Sequence, residues 1–230
     1  MYEEILSQLE RCAEENYRKF SSALLPKHIK MLGVRMPILR QIARQISQSE
    51  CWREFVSGDK SGLYEIEMLR GIVIAISKCD ILQRQKNSLK FVNEIDNWGI
   101  CDSFCASFKL NKTEKDVLFK FIKECHKSPK EYVRRYAVVM MLMHYIDDEY
   151  IEEALRLLTG QCNHSHIIQM ASAWGLSVAY IKYPSSTLRA LRTNKMDKIT
   201  LKYAIQKIRD SRRIPLESRE VIISEIKKHI

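Results

Sequence analysis

Glycine and proline are scarce, 7 and 5 among 230 residues, about half the usual share of each. Sheets, tight hairpins and glycine-cradled phosphate loops draw on both, so the scarcity argues against a β-rich fold and predicts a mostly helical chain. Long apolar runs are missing as well. The longest, such as Gly71 to Ile76, fall far short of the roughly 20 residues that span a bilayer. Nothing matches a P-loop, a G-x-G-x-x-G turn, H-E-x-x-H or G-x-S-x-G, which leaves nucleotide hydrolysis and metalloprotease chemistry without a foothold. The 7 cysteines are odd in number and form no C-x-x-C pair; Cys101 and Cys105 lie one helical turn apart, which is not a zinc-knuckle spacing. They read as reduced thiols serving as small core hydrophobes. The opening Met1-Tyr2-Glu3-Glu4 is acidic where a secretory or mitochondrial leader is basic, so the expected location is cytoplasmic.

What is present is ample for a fold. With 46% hydrophobic and 29% charged residues, a chain of this length can bury roughly 70% of its unfolded surface without disulfides or metal. No linker is rich in Gly, Ser or Pro, so residues 1–230 read as one domain. The net charge is +10 and unevenly spread. From Lys182 onward, thirteen Lys/Arg stand against five Asp/Glu. Such a face attracts polyanions, nucleic acid first and acidic membrane or protein second, or is simply a solvated basic surface.

The helical period runs nearly throughout. It predicts an amphipathic segment over about 2–20, a break at Pro26, and helices near 37–47, 50–57, 62–78, 81–94, 96–108, 112–127, 129–145, 148–159, 165–182, 185–193, 199–210 and 215–229. Pro37 suits a first helical position. Ser128-Pro129-Lys130-Glu131 has the order of a capping box, and Gly160 suits the end of the helix begun at Asp147-Asp148. About a dozen helices with short links, pairing every 30–40 residues or so, suggest either a globular bundle or HEAT-like stacked pairs.

Three segments could carry chemistry. In Asp96-Asn97-Trp98-Gly99-Ile100-Cys101-Asp102 the indole of Trp98 and the carboxylate of Asp102 are i and i+4 on one helical face. The alternative is a core tryptophan, continuing the apolar stripe of Cys101, Cys105 and Phe108, beside a capping or ion-paired aspartate. In Glu131-Tyr132-Val133-Arg134-Arg135-Tyr136 the adjacent arginines point about 100° apart, so one can face outward for phosphate while the other meets a neighbouring helix. In Gln169 to Ser177 the small residues around Trp174 would admit another backbone or a ligand; tight core packing is the alternative. His164 and His166 flank Ser165 without a matched third ligand, so no metal is expected.

Together these segments resemble the AlkD-type DNA alkylation repair family, the HEAT-like DNA glycosylases. The likeness rests on Leu32-Gly33-Val34-Arg35-Met36-Pro37-Ile38-Leu39-Arg40, Asn97-Trp98 with Cys101-Asp102-Ser103-Phe104-Cys105, Val133-Arg134-Arg135-Tyr136-Ala137-Val138-Val139-Met140, Met170 to Ser177, and Ala204 to Arg213. It covers nearly the whole chain, and the order and spacing of the pieces are its most specific feature. The resemblance implies an all-α fold, a right-handed α-α superhelix of HEAT-like pairs whose concave basic face holds duplex DNA. It implies a cofactor-free N-glycosylase that removes positively charged N3- and N7-alkylated purines. The family's essential aspartate matches Asp102, its cleft tryptophans Trp98 and Trp174, and its cleft arginine Arg135, with Arg134 the other choice. All four residue types are kept, although some relatives have lost them.

The chain departs from the family pattern at Leu24, where the best-known members have a cleft tyrosine, and at His166-Ile167-Ile168, where close relatives carry aromatics. Both bear on substrate range more than on reaction type. Sequence-independent phosphate contacts are expected from Lys202, Lys207, Arg209, Arg212 and Arg213, and from Arg40. Duplex DNA containing alkylated purines is the expected partner; nothing calls for a membrane, an obligate protein partner or more than a monomer. The other readings are a catalytically weak HEAT-like protein that recognises damaged or branched DNA, and a helical scaffold for an acidic protein.

Overall fold

The computed structural model describes residues 2–58, 60–160, 165–193 and 196–227, and the regular structure among them is helical. The helices are α1 (Tyr2–Arg11), α2 (Glu15–Ser22), α3 (Met36–Gln48), α4 (Trp52–Ser57), α5 (Tyr64–Ile76), α6 (Ile81–Val92), α7 (Trp98–Ala106), α8 (Lys112–His126), α9 (Glu131–His144), α10 (Ile151–Thr159), α11 (His166–Lys182), α12 (Pro184–Thr193), α13 (Lys198–Asp210) and α14 (Leu216–Lys227). The one strand-like contact among the described residues is an isolated bridge between Lys30 and Leu63. From α3 on, every second helix starts at intervals of roughly 28–39 residues, the repeat length of stacked helical pairs. The fold is all-α and HEAT-like in its pairing.

Contacts divide the chain into two units, Met1–Leu118 and Phe119–Ile230. In the first, α5 lies between α3 and α7, with α4 and α6 packed behind it. A helix covered on several sides buries nearly its whole circumference. Ile66, Met68, Leu69, Ile72, Val73 and Ile74 are all buried, and so are Glu65, Glu67 and Arg70. Buried charges need partners. Glu67 takes the Ser61 N–H at 2.7 Å and Arg70 Nη1 at 2.7 Å, and Arg70 Nη2 reaches Glu94 at 3.0 Å. In the second unit α11 plays the central part, between α9 and α13, with α10 and α12 behind. Its Gly175 lets neighbours close in: a Cβ there would stand 2.9 Å from Leu158 Cδ2 and 3.5 Å from Leu142 Cβ.

Glu65 explains the Leu32-Gly33-Val34 segment. Its carboxylate, fully buried, accepts the backbone N–H groups of Leu32, Gly33 and Val34 at 3.0, 2.7 and 3.2 Å. Three successive N–H groups converging on one carboxylate hold the chain in a fixed arc just before α3. Gly33 sits in that arc at φ 93°, and a Cβ there would strike Arg18 Cβ at 2.6 Å and Glu14 O at 2.7 Å. Only glycine meets both demands.

Two expectations are corrected. The segment over 2–20 is two helices, because Glu14 leaves the helical region (φ −120°, ψ 115°), donates its N–H to Gly33 O at 3.1 Å and holds Arg35 with its carboxylate at 2.8 Å. This tertiary anchor interrupts a pattern that is locally helical. The capping box at Ser128 does not form. Lys130 is extended (φ −77°, ψ 124°) and donates its N–H to Ser128 Oγ at 3.2 Å, so α9 starts at Glu131, two residues past the expected first position. Elsewhere the expected ends are matched within about three residues, and Gly160 does close α10.

Candidate active site

In the first unit, α7 presents Trp98 and Asp102. Asn97 caps it: its Oδ1 accepts the Ile100 N–H at 3.0 Å and its side-chain NH₂ donates to Asp96 Oδ1 at 3.1 Å. Asp96 in turn binds Lys60 Nζ at 2.5 Å, with His28 Nε2 at 3.8 Å. Burial raises the Asp96 pKa, but the hydrogen bonds from Lys60 and Asn97 and the nearby positive charges outweigh that, and the net shift is downward. Capping and ion pairing at the start of α7 are thus carried by Asn97 and Asp96.

Cys101, Cys105 and Phe108 are buried, as the stripe predicts, but Trp98 is 41% exposed and Asp102 is partly exposed. The expectation that Trp98 continues the buried stripe is therefore corrected. The reason is its place at the first residue of a short helix, where no preceding turn covers it.

Tyr64 is the residue that sequence reasoning missed. Its hydroxyl lies over Gly99, 2.7 Å from where a Cβ would stand, so the glycine makes room for the phenol between Trp98 and Asp102 along the chain. Burial, then Tyr17, Glu65 and Asp102, push its pKa above the ordinary tyrosine value. Tyr17 lies under the Arg35 guanidinium, 5.0 Å from ring centroid to Cζ. Leu24, where the family pattern has a tyrosine, is exposed. No spacing rule links residue 64 to residue 99; only the packing of α5 on α7 does.

In the second unit, Arg135 is buried and its Nη1 donates to Ile167 O at 2.6 Å. It thus meets the neighbouring helix and ties α9 to the first turn of α11. Arg134 keeps more of its surface in water. On α11, Ile168, Gln169, Ala171, Ser172, Ala173, Gly175, Leu176 and Ser177 are buried, whereas Ile167, Met170, Trp174, Val178 and Ile181 are only half-buried. Those five recur at helical spacing, so the least covered face of α11 is apolar and carries the indole. Gly175, next to Trp174, serves close packing with α10 and α9. Gln169 Nε2 donates to Asp197 Oδ1 at 3.1 Å, and Asp197 caps α13 through the N–H groups of Ile199 and Thr200.

His166 Nδ1 is 3.0 Å from Tyr203 OH; His164 lies outside the described residues. No cluster of three or more potential metal ligands occurs among the described residues. Of the expected phosphate contacts, Arg40, Lys202, Arg209, Arg212 and Arg213 are exposed and Lys207 is half-buried. Lys202 and Arg209 are i and i+7 on α13 and share a face; Lys207 points well away from it. None of these six forms an ion pair among the described residues.

A family model described as DNA alkylation repair enzyme matches residues 5–208. No curated protein and no solved structure matches the chain.

Proposed function

Since the chain belongs to the DNA alkylation repair enzyme family, we propose that it is a DNA N-glycosylase for positively charged N3- and N7-alkylated purines in duplex DNA. An alkylated purine of this kind is already a good leaving group. The barrier is the cationic charge that develops on the deoxyribose as the glycosidic bond breaks, and a fixed carboxylate lowers it most when water is partly excluded. The observation that carries the reading is that Asp102 and Trp98 share a partly exposed face of α7.

In this reading Asp102 stabilises the sugar cation and orients or deprotonates the attacking water. The indoles of Trp98 and Trp174 add cation–π attraction, on the order of 0.5–2 kcal/mol each, that grows as charge develops. Arg135, with Arg134 the other choice, supplies a guanidinium fork for a flanking phosphate; the burial of Arg135 and the greater exposure of Arg134 favour Arg134. Lys202, Lys207, Arg209, Arg212, Arg213 and Arg40 add phosphate contacts that weaken with salt.

The test is single-turnover release of free base from methylated duplex DNA, measured beside equilibrium binding. Asp102→Asn keeps the size and removes the charge. Release should fall by about two to three orders of magnitude while DNA affinity holds or rises slightly. Wild-type rates in the folded variant would remove Asp102 from the mechanism. A wild type that binds DNA but releases no base would favour the binding-module reading instead.

A further inference from the structure

The first unit contains a groove of about 460 Å³ that no motif marks. It opens where the carboxyl ends of α3, α5 and α7 lie side by side. Its apolar floor includes Ile72, Ile76 and Ala106, and its cations are Arg40 and Arg44 from α3, Lys78 from the link after α5 and Lys109 from the link after α7. All four are exposed, and none forms an ion pair among the described residues. No carboxylate lines the groove. Arg84 forms part of the wall; its guanidinium is held by Ser77 O at 3.2 Å, Cys79 O at 3.3 Å and Glu114 at 3.4 Å, and its buried Nε has no hydrogen-bond partner.

Helix carboxyl ends favour nearby cations, which accounts for Lys78 and Lys109. It does not account for Arg40 and Arg44, which stand at the fifth and ninth of the 13 residues of α3. Four like charges around one small groove repel one another in the free protein, and a polyanion removes that cost. Arg40 and Arg44 are one turn apart, about 6 Å along the helix axis, on the order of the distance between neighbouring phosphates of one strand. An apolar floor between cationic walls matches a sugar–phosphate edge. Ala106 is also one turn beyond Asp102 on α7, again about 6 Å along the axis.

We propose that this groove holds the sugar–phosphate backbone of a DNA strand within a few nucleotides of the one that meets Asp102. The inference rests on the DNA-acting reading above. It adds Arg44, Lys78 and Lys109 to the interface and places part of the footprint in the first unit.

The experiment uses the full chain, with binding of an unmodified duplex followed by fluorescence anisotropy over a range of salt concentrations. The variant is Arg44→Gln/Lys78→Gln/Lys109→Gln, with Lys109→Gln alone as the milder form should the triple variant lose its helical circular dichroism. Each lost phosphate contact should lower the slope of log affinity against log salt by about 0.9, so the triple variant should lose nearly three and the single variant nearly one. Affinity at low salt should fall at least tenfold. Wild-type binding with unchanged slopes in both variants would overturn the groove and leave the glycosylase reading standing. Absence of any wild-type binding would overturn both. Displacement of the duplex by a mononucleotide at equal phosphate concentration would make the groove a free-nucleotide site and overturn the proposal as well.

Discussion

Trp98 opens α7 at 41% exposure, steadied by an N-cap asparagine and an aspartate–lysine pair, whereas Trp174 lies midway along α11 with buried residues on either side of its stripe. The first indole is positioned by polar contacts at a helix end and the second by packing along a helix middle. The same residue type is thus held by hydrogen bonds in one unit and by close-packed side chains in the other. Mutations should therefore affect stability and chemistry in different proportions in the two units.

The largest expected effect on stability lies in the polar unit. Glu65→Ala leaves three N–H groups, two of them buried, unsatisfied ahead of α3 and should cost about 3 kcal/mol or more, read as a lowered denaturant midpoint. A loss below about 1 kcal/mol would mean that water replaces the carboxylate there, and the polar account of this unit would fail.

The tryptophans test the comparison directly. Trp174→Ala should cost about 2 kcal/mol, less than the 3–5 typical of a fully buried aromatic, because the ring is half-buried. Trp98→Ala should cost less than about 1 kcal/mol. If the glycosylase reading holds, both should slow base release, by amounts that do not follow their stability costs. Equal destabilisation by the two would erase the distinction between the units.

At neutral pH the smallest effect concerns Cys125, buried in the second unit. Burial, and then the charge of Glu124, pushes its thiol up to about 12. An unfolded thiol ionises near 8.5. A group with a raised folded pKa contributes stability fully below the unfolded value and loses it as pH rises towards the folded one. Stability should thus decline between about pH 8.5 and 12, and less steeply in Cys125→Ala. Under native conditions an alkylating reagent should modify the exposed Cys51 and spare Cys125. Equal labelling of the two would show that the second unit opens more readily than its packing suggests.

How much of this was legible depended on the range of the contact. The helical segments were readable because apolar spacing and caps act within a few residues, as with Gly160 ending α10. The pairing of Trp98 with Asp102 was readable for the same reason. Glu65 was not, since its partners lie more than 30 positions away. Tyr64 over Gly99 escaped because α5 and α7 meet only after folding. Both misplaced boundaries, at Glu14 and at Ser128, occur where a turn or tertiary anchor overrode a local helical pattern.

The sequence by itself determined that the chain is helical, that an indole and a carboxylate share one face of α7, and that positive charge is in excess. Scarcity of glycine and proline, the 3.6-residue period and charge counts are properties of neighbours along the chain. Tertiary structure alone decided that Trp98 is exposed, that Arg135 is buried and engages α11, and that Arg40, Arg44, Lys78 and Lys109 line one groove. Burial and juxtaposition depend on which surface packs against which, and distant segments supply those surfaces.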